Sequence, residues 1–139
     1  MKKKTLFLGG SSLLAHSWCN ELIDKDQVII GLHNRPTQLV GFNTVSIKFN
    51  NLENQLRELD VETVINCIGY TNVENCEINP EKANEINVEL PSLVSEVCKS
   101  LFIKLVHIST DHLFDGKIKN CNETTKVSPL NVYAKTKYE

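Results

Sequence analysis

Thr5-Leu6-Phe7-Leu8-Gly9-Gly10-Ser11-Ser12-Leu13-Leu14-Ala15 sets the reading of the whole chain. A short β-type run stops at a Gly-Gly-Ser-Ser turn, and Leu13, Leu14, Trp18 and Leu22 follow at helical spacing, so the segment is strand, tight turn, helix. Outward from it, Gln27 to Leu32 is a second β-branched run, and Thr44 to Phe49 a third with Val45, Ile47 and Phe49 on one face. Roughly ten residues separate the second and third runs, near the lower limit for a crossover between parallel strands, so no full helix is expected there. Residues 52–59 are amphipathic and read as a helix, and residues 63–68 as a strand dense in Val and Ile. Asn79 stands where an N-cap belongs, Pro80 at the first helical position and Glu81 in the first turn, opening a helix that runs to about Ser100. Pro91 lies inside it and predicts a kink or interruption near Leu90. Residues 103–108 form the last strong strand; a polar stretch follows to Pro129, and Tyr133 to Lys137 reads as the first turn of another helix.

Strands that are nearly all apolar, alternating with helices, specify an α/β fold with a parallel sheet covered on both faces. At 139 residues the chain has the size of one domain, residues 1–139. Its 41% hydrophobic and 23% charged residues belong to a soluble globular protein. Fifteen basic against seventeen acidic residues leave a charge of −2, without the cationic field that nucleic acid or an anionic membrane surface would need. No run approaches the ~20 apolar residues of a membrane span. The lysine-rich start followed by Thr5 to Leu8 has the look of a secretory signal, but the apolar run breaks at Gly9 and no small-x-small cleavage site follows, which argues against export. Five cysteines, Cys19, Cys67, Cys76, Cys98 and Cys121, are odd in number and form no CxxC pair. They read as reduced thiols in a cytoplasm. The four histidines show no metal-ligand spacing, so no metal site is expected.

In open parallel sheets ligands bind beyond the carboxyl ends of the strands, which here are Gly9, His33, Cys67 to Gly69, and Ser109 to Asp111. A dinucleotide turn needs a glycine where the chain bends, close backbone approach to pyrophosphate, and a small residue where helix packs on strand. Gly9 meets the first need and Ala15 the third, while Ser12 stands at the middle position with a hydroxyl that can donate to phosphate. Taken alone, the segment also reads as an ordinary β–α turn of small residues. After the second strand, where an NAD site offers a carboxylate, the chain has His33-Asn34-Arg35. Asn34 can hydrogen-bond a ribose and Arg35 can pair with a 2′-phosphate, which leans toward NADP; a solvated Arg35 beside Pro36 is the alternative. Tyr133 and Lys137 share one helix face, and an ammonium beside a phenol favours proton transfer to or from a carbonyl oxygen. The spacing is common by chance. Ser109-Thr110-Asp111 adds weight by placing hydroxyls at a strand end, although the same residues also suit a strand-end cap and an Asx-turn.

Three segments together resemble the extended short-chain dehydrogenase/reductase superfamily, and within it the dTDP-4-dehydrorhamnose reductase family. They are Leu6 to Ala15; Val64 to Val73 with Glu77, Pro80 and Asn87; and Leu105 to Gly116 continued by Pro129 to Lys137, whose order and spacing match the family's STD…FDG…PLNVYxxxK run. The resemblance implies a Rossmann-like doubly wound parallel sheet and NADPH-dependent reduction of the C4 keto group of a dTDP-4-keto-6-deoxy sugar. It assigns Thr110, Tyr133 and Lys137 to the catalytic triad: Tyr133 gives a proton to the carbonyl oxygen, Lys137 holds the nicotinamide ribose and acidifies the phenol, and Thr110 hydrogen-bonds the substrate oxygen. Gly9, Ser11, Ser12, Leu13, Leu14, Asn34, Arg35, Cys67, Ile68, Gly69, Tyr70 and Ser109 would line the cofactor, NADP with NAD as the alternative. The partner implied is a nucleotide sugar, with no nucleic acid or membrane, and a homodimer is compatible. Ser12 replaces the family's middle glycine, and His112 stands where the family usually has Tyr. The family's architecture continues well past Glu139 into a substrate-binding part, so this span, truncated before it, is expected to bind cofactor weakly and not to turn over substrate alone. A non-catalytic NADP-binding regulatory subunit, and an NAD-dependent epimerase or dehydratase of the same superfamily, are the competing readings.

Overall fold

Five parallel strands pair in one sheet: β1 (Lys4–Leu8), β2 (Val28–Leu32), β3 (Asn43–Ser46), β4 (Val61–Asn66) and β5 (Lys104–His107), in the spatial order β3-β2-β1-β4-β5. They belong to a computed structural model that describes residues 4–22 and 24–139; of the lysine-rich lead-in only Lys4 falls within it. The central β1 sets Leu6 beside Ile29 of β2 and Val64 of β4. Leu6, Phe7 and Leu8 are all buried, as consecutive positions must be when both faces of a strand are covered. The order reverses between β1 and β4, which opens a crevice beyond their carboxyl ends.

The chain divides into two compact units, one made of residues up to Ile68 with Leu93–Ile108, the other of Gly69–Ser92 with Ser109–Glu139. The first holds the sheet, α1 (Leu13–Asn20) and α2 (Leu52–Leu59). Its core joins Phe7, Ala15, Cys19, Val28, Ile30, Leu39 and Ile65, with Trp18 edge-on to Phe7 at 5.4 Å. No helix links β2 to β3, as the short spacing predicts. The connection is instead fastened by Thr37, whose hydroxyl donates to the Gly10 carbonyl at 2.9 Å and accepts from the Leu39 amide at 3.1 Å.

Several boundaries differ from expectation. Leu22, expected on the first helix, lies past its end at Asn20. β3 stops at Ser46 rather than Phe49, because the Gln55 side chain takes the Ser46 carbonyl and the Lys48 amide, both at 2.8 Å. Phe49 opens a single 3₁₀ turn, Phe49–Asn51, that leads into α2. β4 ends at Asn66, whose own side-chain oxygen accepts the Ile68 amide at 3.0 Å and draws the chain out of the ladder.

The second unit contains α3 (Val73–Ile78), α4 (Pro80–Asn84) and α6 (Val132–Tyr138). Asn79 caps α4 with Pro80 at its first position, as read from sequence. The helical run to Ser100 is interrupted just before Leu90, close to where Pro91 predicts. Residues Glu85–Glu89 form a π segment in which the Leu90 amide donates five residues back to Glu85, and α5 (Leu90–Ser100) follows. α3 is the element the sequence did not predict. Asn72 caps it through the Asn75 amide, and Cys76, Ala83 and Tyr133 make the buried cluster beneath it.

Candidate functional site

In the first unit the turn after β1 is built around Gly9, which sits at φ +80°. A Cβ there would lie 2.9 Å from the Ile68 side chain and 3.1 Å from the Ile68 amide, so only glycine fits. The Gly10 amide donates to the Gly31 carbonyl at 3.1 Å and the Ser12 amide to Gly9 at 2.8 Å, which closes the turn. Ser12, read from sequence as the middle position of a glycine motif, is the N-cap of α1: its hydroxyl accepts the Ala15 amide at 3.1 Å. That bond uses a lone pair and leaves the hydroxyl proton to donate outward. The amides of Leu13 and Leu14, at the start of the helix, have no carbonyl within it to reach, and the two residues are 83% and 43% exposed. Free amides, a donor hydroxyl and the positive helix end form a cradle that fits a pyrophosphate. Ser11 lies exposed on the same turn.

Cys67 and Ile68 follow β4 directly, with the Cys67 amide bonded to the Leu8 carbonyl at 3.0 Å. Burial, and secondarily Cys19, push the Cys67 thiol up to about 11, so it lines the crevice as a thiol and not as a nucleophile. Asn66 beside it is wholly buried. Because its oxygen is taken by the Ile68 amide, its nitrogen must face His107 Nδ1, 3.2 Å away. Beyond β2, His33, Asn34 and Arg35 are all exposed, and His33 Nδ1 lies 3.1 Å from the Ile47 carbonyl.

The second unit carries Thr110, Tyr133 and Lys137, together with Gly69, Tyr70 and Ser109. Thr110 caps the 3₁₀ turn Asp111–Leu113, its oxygen accepting the His112 amide at 3.2 Å. The His112 ring stands edge-on to Tyr133 with centroids 5.4 Å apart, which draws the Thr110 turn and α6 together. Tyr133 is only 8% exposed. Asn131 caps α6 through the Ala134 amide at 2.8 Å, and the Glu77 carboxylate accepts the Val132 amide at 2.7 Å. Asn87 locks the helix from behind. Its nitrogen donates to Tyr70 O and to Thr136 Oγ1, both at 3.1 Å, while its oxygen accepts the Tyr70 amide at 2.8 Å. Lys137 is partly buried, and desolvation pulls its ammonium below the ordinary lysine range. In the sequence Glu77 and Asn87 stand out only as points of resemblance; the fold shows that Glu77 holds α6 and Asn87 both α6 and the Tyr70 loop. An Asn inside a helical run, four residues before Pro91, is the one local sign of it.

Residues 3–139 match the model of the RmlD substrate binding domain family. The chain belongs to that family. Among relatives, a probable low-salt glycan biosynthesis reductase of Haloferax volcanii, Agl14, is 32% identical over 133 residues, 93% of this chain and 44% of its own length. A hypothetical dTDP-4-dehydrorhamnose reductase from Sulfolobus tokodaii superposes with a TM-score of 0.84 at 30% identity, covering 97% of this chain and 49% of that one. The dTDP-4-dehydrorhamnose reductase of Bacillus anthracis, solved in complex with NADP, shares the fold with a TM-score of 0.79 at 22% identity, over 99% of this chain and 47% of that one. The chain thus spans less than half the length of these RmlD relatives. No helix of the described residues is long and apolar enough to cross a membrane, and no cluster of three metal-ligating side chains occurs among them.

Proposed function

We propose that this protein takes part in NADPH-dependent reduction of the C4 keto group of a dTDP-4-keto-6-deoxy sugar, the reaction class in nucleotide-sugar and polysaccharide biosynthesis suggested by the names of its RmlD relatives. The observation that carries it is the arrangement of Tyr133 on a capped helix, against the turn that Thr110 caps, with a desolvated Lys137 one helical turn on. The nucleotide end of the cofactor is assigned to Gly9, Ser11, Ser12 and the Leu13 and Leu14 amides, with Asn34 and Arg35 at the ribose and Cys67 and Ile68 past β4 in the same unit. When bound, the dihydronicotinamide supplies the hydride received by the carbonyl carbon.

The residues manage the oxygen. Thr110 accepts from His112 and donates to Asp111 Oδ1 with the two oxygens 3.5 Å apart, a bond long enough for the hydroxyl to turn to a substrate carbonyl. Tyr133 donates its phenolic proton to the same oxygen as charge develops there. The Lys137 ammonium favours the phenolate left behind. Steady-state kinetics of the full-length protein, wild type against Tyr133→Phe, test the assignment: kcat should fall by orders of magnitude with NADPH affinity nearly unchanged. An equal loss of NADPH binding would move Tyr133 to a structural role.

A further inference from the structure

We propose that Thr37 is a positioning residue for the nucleotide: through the Gly10 carbonyl it fixes the turn after β1 so that the amides of the turn meet a pyrophosphate. The inference rests on the nucleotide-binding reading of that turn. The Thr37 hydroxyl is committed at both ends. It accepts the Leu39 amide at 3.1 Å and donates to the Gly10 carbonyl at 2.9 Å, 27 residues back in the chain. Leu39 is buried in the same core cluster as Phe7, Ala15 and Ile30, so the hydroxyl is anchored to the packed part of the unit although no helix lies between β2 and β3.

Gly10 is where that hold reaches the turn. It is buried, and a Cβ on it would run into the Ile30 side chain. Its amide donates to the Gly31 carbonyl at 3.1 Å, which leaves the peptide that follows, Gly10–Ser11, to be set through its carbonyl. A trans peptide is planar, with its C=O and N–H pointing to opposite sides. With the Gly10 carbonyl drawn to Thr37, the Ser11 amide of the same peptide is aimed away from the β2–β3 connection, and Ser11 is exposed. That amide joins those of Leu13 and Leu14 as a donor for phosphate oxygens. A peptide turned over would present a carbonyl oxygen to the phosphate instead. Thr37 removes that state before the nucleotide arrives, which takes the ordering of the turn out of the binding step.

The test is calorimetric titration of the full-length protein with NADP⁺, NAD⁺ and ADP, for wild type, Thr37→Val and Thr37→Ser, each folded at the titration temperature by its melting curve. Thr37→Val keeps the shape of the side chain and loses the hydroxyl, while Thr37→Ser keeps the hydroxyl. Thr37→Val should bind all three ligands, which share a pyrophosphate, about tenfold more weakly, the scale of one hydrogen bond. Thr37→Ser should restore the wild-type affinity. A merely structural role would lower the melting temperature and leave the affinity of the folded protein unchanged; that result would overturn the role of Thr37 and leave the nucleotide site standing. A loss confined to NADP⁺ would overturn it as well, by placing Thr37 at the 2′ end of the ligand. Amide spectra of nitrogen-labelled wild type need no variant to fold: the Ser11 resonance should shift as NADP⁺ is added, and a Ser11 amide unmoved at saturation would overturn the proposal. Absence of saturable binding of any of the three ligands to folded wild type would overturn both the proposal and the nucleotide-binding reading.

Discussion

Ser12 and Lys137, both placed in the proposed site, affect the stability of the fold in opposite ways. Ser12 caps α1 through the Ala15 amide, with the same hydroxyl that is proposed to donate to a phosphate. Ser12→Ala should cost about 1 kcal/mol in chemical denaturation, while Ser12→Gly, which leaves the cap position conformationally free, should cost only a few tenths. If Ser12→Ala loses no stability, the Ala15 bond is not what holds the turn. Lys137 works the other way. Burial lowers its pKa in the folded protein, so between that lowered value and the ordinary lysine value of about 10.4 the unfolded chain binds more protons and stability rises with pH. The melting midpoint of wild type relative to Lys137→Met should therefore climb as pH rises toward 10 through that window. A flat difference would show that Lys137 is as well solvated folded as unfolded.

Elements owe their positions to a few side-chain bonds that cross between them. Asn87 joins the Tyr70 loop to α6 through Thr136, and both Asn87 and Thr136 are buried. Asn87→Ala leaves the Tyr70 amide and the Thr136 hydroxyl short of a partner and should cost about 1–3 kcal/mol. With Thr136→Val it should show a coupling energy of about 0.5–3 kcal/mol in a double-mutant cycle followed by urea denaturation. Additive losses would mean that the two residues act apart. The same kind of bond explains what the sequence left unread. The early end of β3 depends on Gln55, nine residues past Ser46, and no strand pattern carries that information. α3 is six residues long with a single buried side chain, Cys76, too short to show a helical period. The π segment was legible only as a disturbance near Pro91, because proline announces a missing donor without saying which residues will absorb the extra turn.

At the scale of the whole molecule, the first unit, with the sheet and the helices that cover it, carries most of the buried apolar side chains among the described residues. Leu6 is fully buried on the central strand, so Leu6→Ala should cost about 2–5 kcal/mol of stability; a loss below 1 kcal/mol would contradict a close-packed centre. By itself the sequence determined the strand–turn–helix at Gly9, the order of β1 to β5 along the chain, the absence of a helix between β2 and β3, and the candidates at Thr110, Tyr133 and Lys137. Each of these is written in neighbouring residues, as an apolar period, a glycine, a cap or a spacing. Only the tertiary structure decided that Ser12 is a cap, that His112 meets Tyr133, that Asn87 and Glu77 hold α6, and that His33 is turned to the Ile47 carbonyl. The partners in most of these pairs lie between 14 and 55 residues apart. A hydrogen bond over such a separation is specified by the fold that brings its ends within about 3 Å, not by any local pattern in the chain.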